Sequence, residues 1–349
     1  MRKLNFLILS LLIPFNTALP FEAKSEEINN ECANVTSVKE YKNCLREVIP
    51  TNPNYVNTES ISEIEIENIE MDNFYQKAVL AFKEDRETDA LSNINKFLSK
   101  NPNSKEGYFL RGLINSYDFD DSKSGLEDLT KAIEIDDNYA EAYAHRADIF
   151  NYDFSNFVSA EKDINKALQI APDDPLVNYY AGLVYVERAY QYLDNNENDI
   201  AFDYFVKANL YIKKAVGSYP SKLNDIYQRL YPFGYQYLLY FDLGLNEYEI
   251  GWYYKDIKKS SKKAKPFFES AVNKFTLAIE LAPSIEKTKK RNIDYDVEHL
   301  DLGEIHFWRA ETYASYLKGA WWKKPCKDWR KSKEYGWEDS LKPVRTYCF

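Results

Sequence analysis

Glycine, proline and histidine are scarce in this sequence of 349 residues, which has 11 glycines, 13 prolines and three histidines. Collagen-like and linker-dominated chains need far more glycine and proline, so both classes are excluded. There is no glycine-rich phosphate loop, and no serine or cysteine nucleophile stands at a diagnostic spacing from a histidine. We therefore predict that the chain is not an enzyme, with no catalytic residue, no metal and no cofactor.

Basic residues are outnumbered, since 45 lysines and arginines stand against 55 aspartates and glutamates. The net charge of -10 argues against nucleic-acid binding, which needs a basic surface. The charge is uneven, because residues 1–200 carry a net -17 and residues 201–349 a net +7. This asymmetry fits ordinary solvated helix faces, or a dipolar molecule whose basic end meets an acidic partner or an anionic lipid surface.

Long apolar runs are absent apart from residues 4–15, which follow Arg2 and Lys3. A basic start, about a dozen apolar residues and small residues thereafter are typical of a secretory signal peptide. The run is shorter than the ~20 residues that span a bilayer, although an uncleaved anchor is the alternative reading. We predict a signal peptide over 1–23, with cleavage after Ala18 or Ala23, and an exported protein of the periplasm or the extracellular space.

The four cysteines form two well-separated groups, Cys32 with Cys44 and Cys326 with Cys348. Four cysteines allow three pairings, of which local pairing is the simplest. An oxidising compartment favours such bridges, and the tight Cys-x-x-Cys spacing of a zinc site is missing. We predict one disulfide near each end of the chain.

Hydrophobic residues make up 45% of the chain, and an internal repeat organises its middle. Residues 106–140 and 141–175 share twelve identities at a shift of 35. Each unit reads as two helices, the first with aromatics around a small residue and the second with small and aliphatic residues at helical spacing. Proline, which cannot continue a helix, marks the end of the unit at Pro172.

This pattern resembles the tetratricopeptide repeat. The second-helix signature of that family matches Ala160, Ile164, Ala167 and Pro172, and again Ala271, Phe275, Ala278 and Pro283. The resemblance is strong over 71–175, fair over 176–222 and 233–285, and weak over 299–337. It implies an all-α, right-handed superhelix of about five to six helix pairs, an α-solenoid whose first helices line a concave groove.

The resemblance also divides the chain. We predict an irregular N-terminal arm with a cysteine pair over 24–70, tetratricopeptide-like repeats over 71–222, and divergent repeats closed by a disulfide cap over 223–349. Arg111 and Arg146 share one place in the first helix, and Asp128 and Asp163 share one in the second. We expect each arginine to pair with the aspartate of its own unit, the alternative being an anion site in the groove.

The groove itself is predicted to be aromatic, with few charges. We expect it to hold an extended peptide or an amphipathic helix of another protein. The alternative is that these rings are partly core, or are covered by the N-terminal arm. The predicted lining is Tyr75, Phe109, Tyr117, His145, Asp148, Tyr152, Tyr179 and Tyr180.

The C-terminal end interleaves tryptophans with basic residues. Such a cluster fits a membrane interface, or a hydrophobic cap with a solvated basic rim. The sequence thus favours an exported protein-binding scaffold, with docking to a membrane surface through the basic C-terminal half as the alternative; no nucleic acid and no small-molecule ligand are expected. The tryptophans concerned are Trp321, Trp322, Trp329 and Trp337.

Overall fold

A computed structural model describes residues 63–221, 223–230, 234–282, 295–317 and 323–348. Within them every regular element is helical: 13 α-helices, one π-helical turn and one 3-10 turn. The predicted all-α fold is confirmed. The predicted signal peptide, Cys32 and Cys44, most of the N-terminal arm, Pro283 and the pair Trp321 and Trp322 lie outside the described residues.

The α-helices follow one another as consecutive pairs. In chain order they are α1 (Glu63–Lys83) and α2 (Glu87–Lys100), α3 (Lys105–Asp118) and α4 (Ser122–Ile135), α5 (Ala140–Tyr152) and α6 (Phe157–Ile170), α7 (Pro175–Asp194) and α8 (Asn198–Gly217), α9 (Gln236–Trp252) and α10 (Ser261–Leu281), α11 (Tyr295–Tyr316) and α12 (Lys323–Glu334), and then α13 (Leu341–Tyr347). A π-helical turn, Tyr253–Ile257, extends α9.

Contacts divide the chain into two units, Met1–Phe74 and Tyr75–Phe349, with the boundary inside α1. Of the first unit, only the start of α1 is described. Its helix begins at Glu63, so residues 63–70 of the predicted irregular arm are helical.

The turn within each of the first five pairs, from α1–α2 to α9–α10, contains one residue in the left-handed backbone region. The φ angles are 61° at Asp85, 51° at Asp120 and 47° at Ser155, which are 35 residues apart, and the same occurs at Asn196 and Lys259. This conformation reverses the chain within a few residues and costs little for Asp and Asn. The 35-residue period of the sequence is therefore also a period of the backbone.

Small residues allow the two helices of a pair to approach closely. A Cβ atom added to Gly182 in α7 would lie 2.3 Å from Ile212 of α8, and one added to Gly112 would lie 3.1 Å from Leu129. In the second helix, Ala160, Ile164 and Ala167 have no exposed surface. The predicted small and aliphatic positions therefore form the seam of the pair, where large side chains would not fit.

Candidate functional site

Two buried ion pairs tie the first helix of a pair to the second. The Arg111 guanidinium donates to both carboxylate oxygens of Asp128 at 2.8 and 2.6 Å. Arg146 does the same to Asp163 at 2.6 and 2.9 Å. Hydrogen bonding to Asp128 raises the pKa of Arg111. Each bidentate pair fixes one helix against the other.

Each arginine also reaches the second helix of the preceding pair. Arg111 Nη1 donates to Asn95 at 2.9 Å, and Arg146 Nη1 donates to Thr130 at 3.2 Å. The guanidinium is thus shared among three helices and has little capacity left for an external anion. The geometry is that of a structural clamp.

A third clamp occurs in α11 and α12, which the sequence did not reveal. Arg309 donates to Asp328 at 2.9 and 2.6 Å and to Thr276 of α10 at 3.1 Å. The spacing from arginine to aspartate is two residues longer here than in the regular units, so a search at a fixed shift misses it. His306 Nδ1 lies 2.9 Å from the same carboxylate.

Four residues of the predicted groove lining lie in the core. Phe109 is 3% exposed, His145 1%, and Tyr179 and Tyr180 not at all. The His145 ring packs 4.7 Å from that of Tyr180 and 5.4 Å from that of Phe109. Burial lowers the pKa of His145 to about 3, so its imidazole is neutral. These rings pack where successive first helices meet and form part of the core.

Part of the surface formed by the first helices, called here the A-helix face, is covered by residues 223–230 from the long connection between α8 and α9. Lys83 Nζ of α1 lies 2.6 Å from Asp225, and the Arg229 guanidinium lies 4.6 Å from the centre of the Phe82 ring. Leu230 is fully buried in the same core.

The same segment reaches α5. The Tyr227 hydroxyl donates to Glu141 at 3.3 Å. The predicted groove residue Tyr75 lies close to Tyr227, and burial raises its pKa to about 12. An internal segment of the chain thus occupies this part of the A-helix face. Most of the N-terminal arm, which the sequence offered as a possible cover, lies outside the described residues.

The remaining part of the A-helix face is acidic. Asp148 is half-buried and Tyr152 is 52% exposed, both on α5. Half-buried carboxylates continue this surface onto α7 with Glu187 and onto α9 with Asp242 and Glu249. We call this set, with Tyr190 of α7, the acidic stretch. Sequence reasoning missed its α7 and α9 members. The spacing of Asp242, Asn246 and Glu249 could have revealed the α9 members, because it places three polar side chains on one face of the helix.

The members of the acidic stretch are close together. Tyr190 donates to Glu249 at 3.4 Å, and Tyr179 donates to Asp242. Partial burial raises the pKa of the Tyr152 hydroxyl well above its usual range, and the negative charges of Asp148, Glu187 and Asp242 raise it further. The last of the eight predicted groove residues, Tyr117, is half-buried and its hydroxyl lies 3.0 Å from that of Tyr180.

Three carboxylates of the acidic stretch have raised pKa values. Burial, and then the nearby Asp153, raise the pKa of Asp148 to about 8. Burial raises the pKa of Glu249 to about 7 and also raises that of Glu187. Among the residues that the structure describes, none of the three forms an ion pair with a lysine or arginine. The negative charge of their ionised forms is therefore not offset by a lysine or arginine of the described residues.

The C-terminal cap has a hydrophobic interior and a basic rim. Trp329 is 2% exposed and donates to Glu311 at 2.9 Å, and Trp337 is half-buried. Lys323, Lys324, Lys327 and Arg330 are exposed. The cysteines Cys326 and Cys348 lie within bonding distance, with Cα atoms 5.4 Å apart.

The described part of the chain contains no cluster of three His, Cys, Asp or Glu side chains arranged to hold a metal ion. None of its helices combines the length and the apolar character that crossing a membrane requires.

Comparisons with known proteins give structural likeness only. No family model matches the sequence, and no curated protein matches it significantly. The solved structure of the type IV pilus biogenesis factor PilW covers 79% of this chain and 98% of its own, at 13% identity and a TM-score of 0.48. The structure of a tetratricopeptide repeat protein from Parabacteroides merdae covers 92% of this chain and 98% of its own, at 11% identity and a TM-score of 0.45. The structure of the MamA protein covers 64% of this chain and 96% of its own, at 17% identity and a TM-score of 0.39.

Proposed function

We propose that this array of tetratricopeptide-type helix pairs is an exported, non-enzymatic scaffold that binds another protein on its A-helix face. The observation that carries the proposal is the acidic stretch. It combines the half-exposed ring of Tyr152 with the carboxylates of Asp148, Glu187 and Glu249, which form no ion pair with a lysine or arginine of the described residues. A surface left unsatisfied in this way by its own fold is suited to an external ligand.

The extent of this surface favours a protein over a small molecule. Its members come from three first helices, α5, α7 and α9, in three successive pairs. Rigid helix pairs hold these side chains in place before a partner arrives, which lowers the ordering cost of binding. An extended segment or a helix is the ligand that can touch all three.

Export rests on the sequence of residues 1–23 and fits the placement of the C-terminal cysteines. A Cys326–Cys348 disulfide would close a loop at the end of the array, and its formation needs an oxidising compartment such as the periplasm or the extracellular space. We propose the same compartment for a Cys32–Cys44 bridge. The domain boundaries at 23, 70 and 222 are proposed on the same footing.

The test compares capture of a partner by three forms of the chain without residues 1–23. Wild type, Tyr152→Ala and Leu210→Ala are made in an oxidising compartment and used as bait. Leu210 is 64% exposed on the second helix α8 and serves as the matched control. We expect a partner that wild type and Leu210→Ala retain and Tyr152→Ala loses; equal retention by all three would place binding off the acidic stretch.

A second candidate function is docking to an anionic membrane surface through the cap. The favouring observation is the set of exposed basic side chains on α12: Lys323, Lys324, Lys327 and Arg330. Sedimentation with vesicles containing phosphatidylserine tests it. Binding at low salt that is lost at raised salt would support it, and no binding at low salt would exclude it.

A further inference from the structure

The acidic stretch places one carboxylate that has no lysine or arginine partner among the described residues on each of three successive first helices: Asp148 on α5, Glu187 on α7 and Glu249 on α9. Buried acids in a fold normally face a lysine or arginine, as Asp128, Asp163 and Asp328 do here. The contrast within one chain shows that this sequence supplies a cation where it needs one for structure. Asp148, Glu187 and Glu249 form no ion pair with a lysine or arginine among the described residues.

An orphaned amide on the same helix face points independently to a ligand. Asn246 is 2% exposed, and neither its amide nitrogen nor its amide oxygen has a hydrogen-bond partner. It follows Asp242 by four residues and precedes Glu249 by three, so the three side chains share one face of α9. A buried amide without partners is costly, and a hydrogen-bonding ligand would satisfy it.

The chemistry of the surface specifies a cation. Carboxylates accept charge-assisted hydrogen bonds from guanidinium and ammonium groups, and tyrosine rings attract cations through their faces. Tyr152 and Tyr190 bring such rings among the carboxylates. An anionic or apolar ligand would bring no compensating charge to these acids.

The arrangement suits several cations in a row rather than one metal ion. No three acids of the described chain converge on a common point as ligands. Packed helices lie about 10 Å apart, so a ligand that touches all three helices extends over roughly 20 Å. That is the length of about six residues of extended chain.

We propose that the acidic stretch binds a lysine- or arginine-rich segment of the partner protein, with basic side chains seated against Asp148, Glu187 and Glu249. This inference rests on the proposed function and adds the chemical class of the partner to it. The basic side chains of the ligand then form ion pairs with the ionised carboxylates. A peptide group or side chain of the ligand forms a hydrogen bond with the buried Asn246.

The test uses a fluorescein-labelled peptide that alternates lysine with glycine, followed by fluorescence anisotropy at low salt. Two triple variants each replace three carboxylic acids by amides, on different faces of the array. The first is Asp148→Asn, Glu187→Gln and Glu249→Gln. The second is Glu127→Gln, Asp203→Asn and Glu280→Gln, at exposed positions of the second helices α4, α8 and α10. A peptide that alternates glutamate with glycine controls for charge sign.

We expect the first triple variant to weaken binding by at least about tenfold and the second by less than about twofold. The neutral amides are isosteric with acids that burial already disfavours in charged form, so the variant should keep its helical circular dichroism. Equal weakening by both triples would show unspecific attraction to an acidic protein and overturn the inference. Absence of lysine-peptide binding, or equal binding of the glutamate peptide, would also overturn it.

The two proposals fail separately. Suppose that wild type and the first triple variant capture a partner and Tyr152→Ala does not. That result would support the scaffold function and overturn the proposal that the ligand is a basic segment. Capture that is insensitive to Tyr152→Ala, together with peptide binding that depends on the acidic stretch, would keep the cation site and remove this face as the partner site.

Discussion

The terminal pair α11–α12 differs in sequence from the regular pairs α3–α4 and α5–α6. In all three pairs, however, the same clamp joins the first helix to the second. The regular pairs share twelve identities in 35 positions. The terminal pair keeps the bidentate arginine and aspartate, Arg309 with Asp328, and its reach to the preceding pair through Thr276. What persists across the array is the geometry of one contact rather than the sequence around it.

The terminal pair adds bonds that the regular pairs lack. Asp328 also faces His306, Trp329 donates to Glu311, and Ser332 donates to the Gly303 carbonyl at 2.6 Å. A regular pair is covered by neighbours on both sides, whereas a terminal pair must satisfy its outer side by itself. The comparison suggests that the clamp joins the helices, while the additional bonds close the end.

The largest effect should come from breaking the clamp in each region. Asp163→Ala and Asp328→Ala leave Arg146 and Arg309 buried without a counter-charge. We expect each to lower the free energy of unfolding by about 3 kcal/mol in urea denaturation followed by circular dichroism. Glu127→Ala, at an exposed site, is the control. A loss below about 1 kcal/mol in either region would show that the clamp is incidental there.

A smaller effect is expected from crowding the helix seam. Gly182→Ala drives a methyl group against Ile212, whereas a Cβ on Gly217 of the neighbouring helix would meet nothing within 4 Å. We expect Gly182→Ala to cost about 2 kcal/mol and Gly217→Ala to be neutral or slightly stabilising. Thermal melting of the two variants measures the difference. Equal melting temperatures would mean that the seam relaxes freely.

The smallest effect, opposite in sign between the two regions, is the dependence of stability on pH. The pKa of Asp148 is raised to about 8, so its stabilising neutral form is present in acid and lost as the pH rises towards 8. We expect Asp148→Asn to exceed wild type by about 1 kcal/mol at pH near 8 and to match it near pH 4.

In the cap, the sign reverses. Burial acts to raise the pKa of Asp328, but hydrogen bonds from His306 and Arg309 overcome it and hold that pKa below its usual range. Its contribution is present above pH of about 4 and is lost as the pH falls. The deficit of Asp328→Asn should therefore shrink in acid. Urea denaturation across this range checks both variants, and parallel pH profiles would contradict the assigned environments.

Much of the fold was readable from the sequence. The 35-residue shift predicted helix pairs, and Ala160, Ile164 and Ala167 marked the seam that the structure shows. Arg111 and Asp128 were paired from their equivalent places, and the structure puts them at 2.6 Å. Local spacing suffices for these features because they lie within one pair or repeat from one pair to the next.

The candidate site was less readable. Helical spacing placed Phe109, His145, Tyr179 and Tyr180 on the correct side of their helices, but it cannot show how closely successive first helices pack, and there these rings are buried. Asp148 and Tyr152 remain on an accessible surface. The carboxylates that join them come from helices where the repeat has diverged, so no internal alignment points to them.

The sequence by itself determined the helix pairs and their seams, because a 3.6-residue period and a few small side chains specify which faces meet. Only the tertiary structure decided which part of the A-helix face is covered. Residues 223–230 lie more than 80 positions from Glu141 and more than 130 from Lys83, yet they contact both. Contacts over such separations depend on the path of the whole array, which no local pattern encodes.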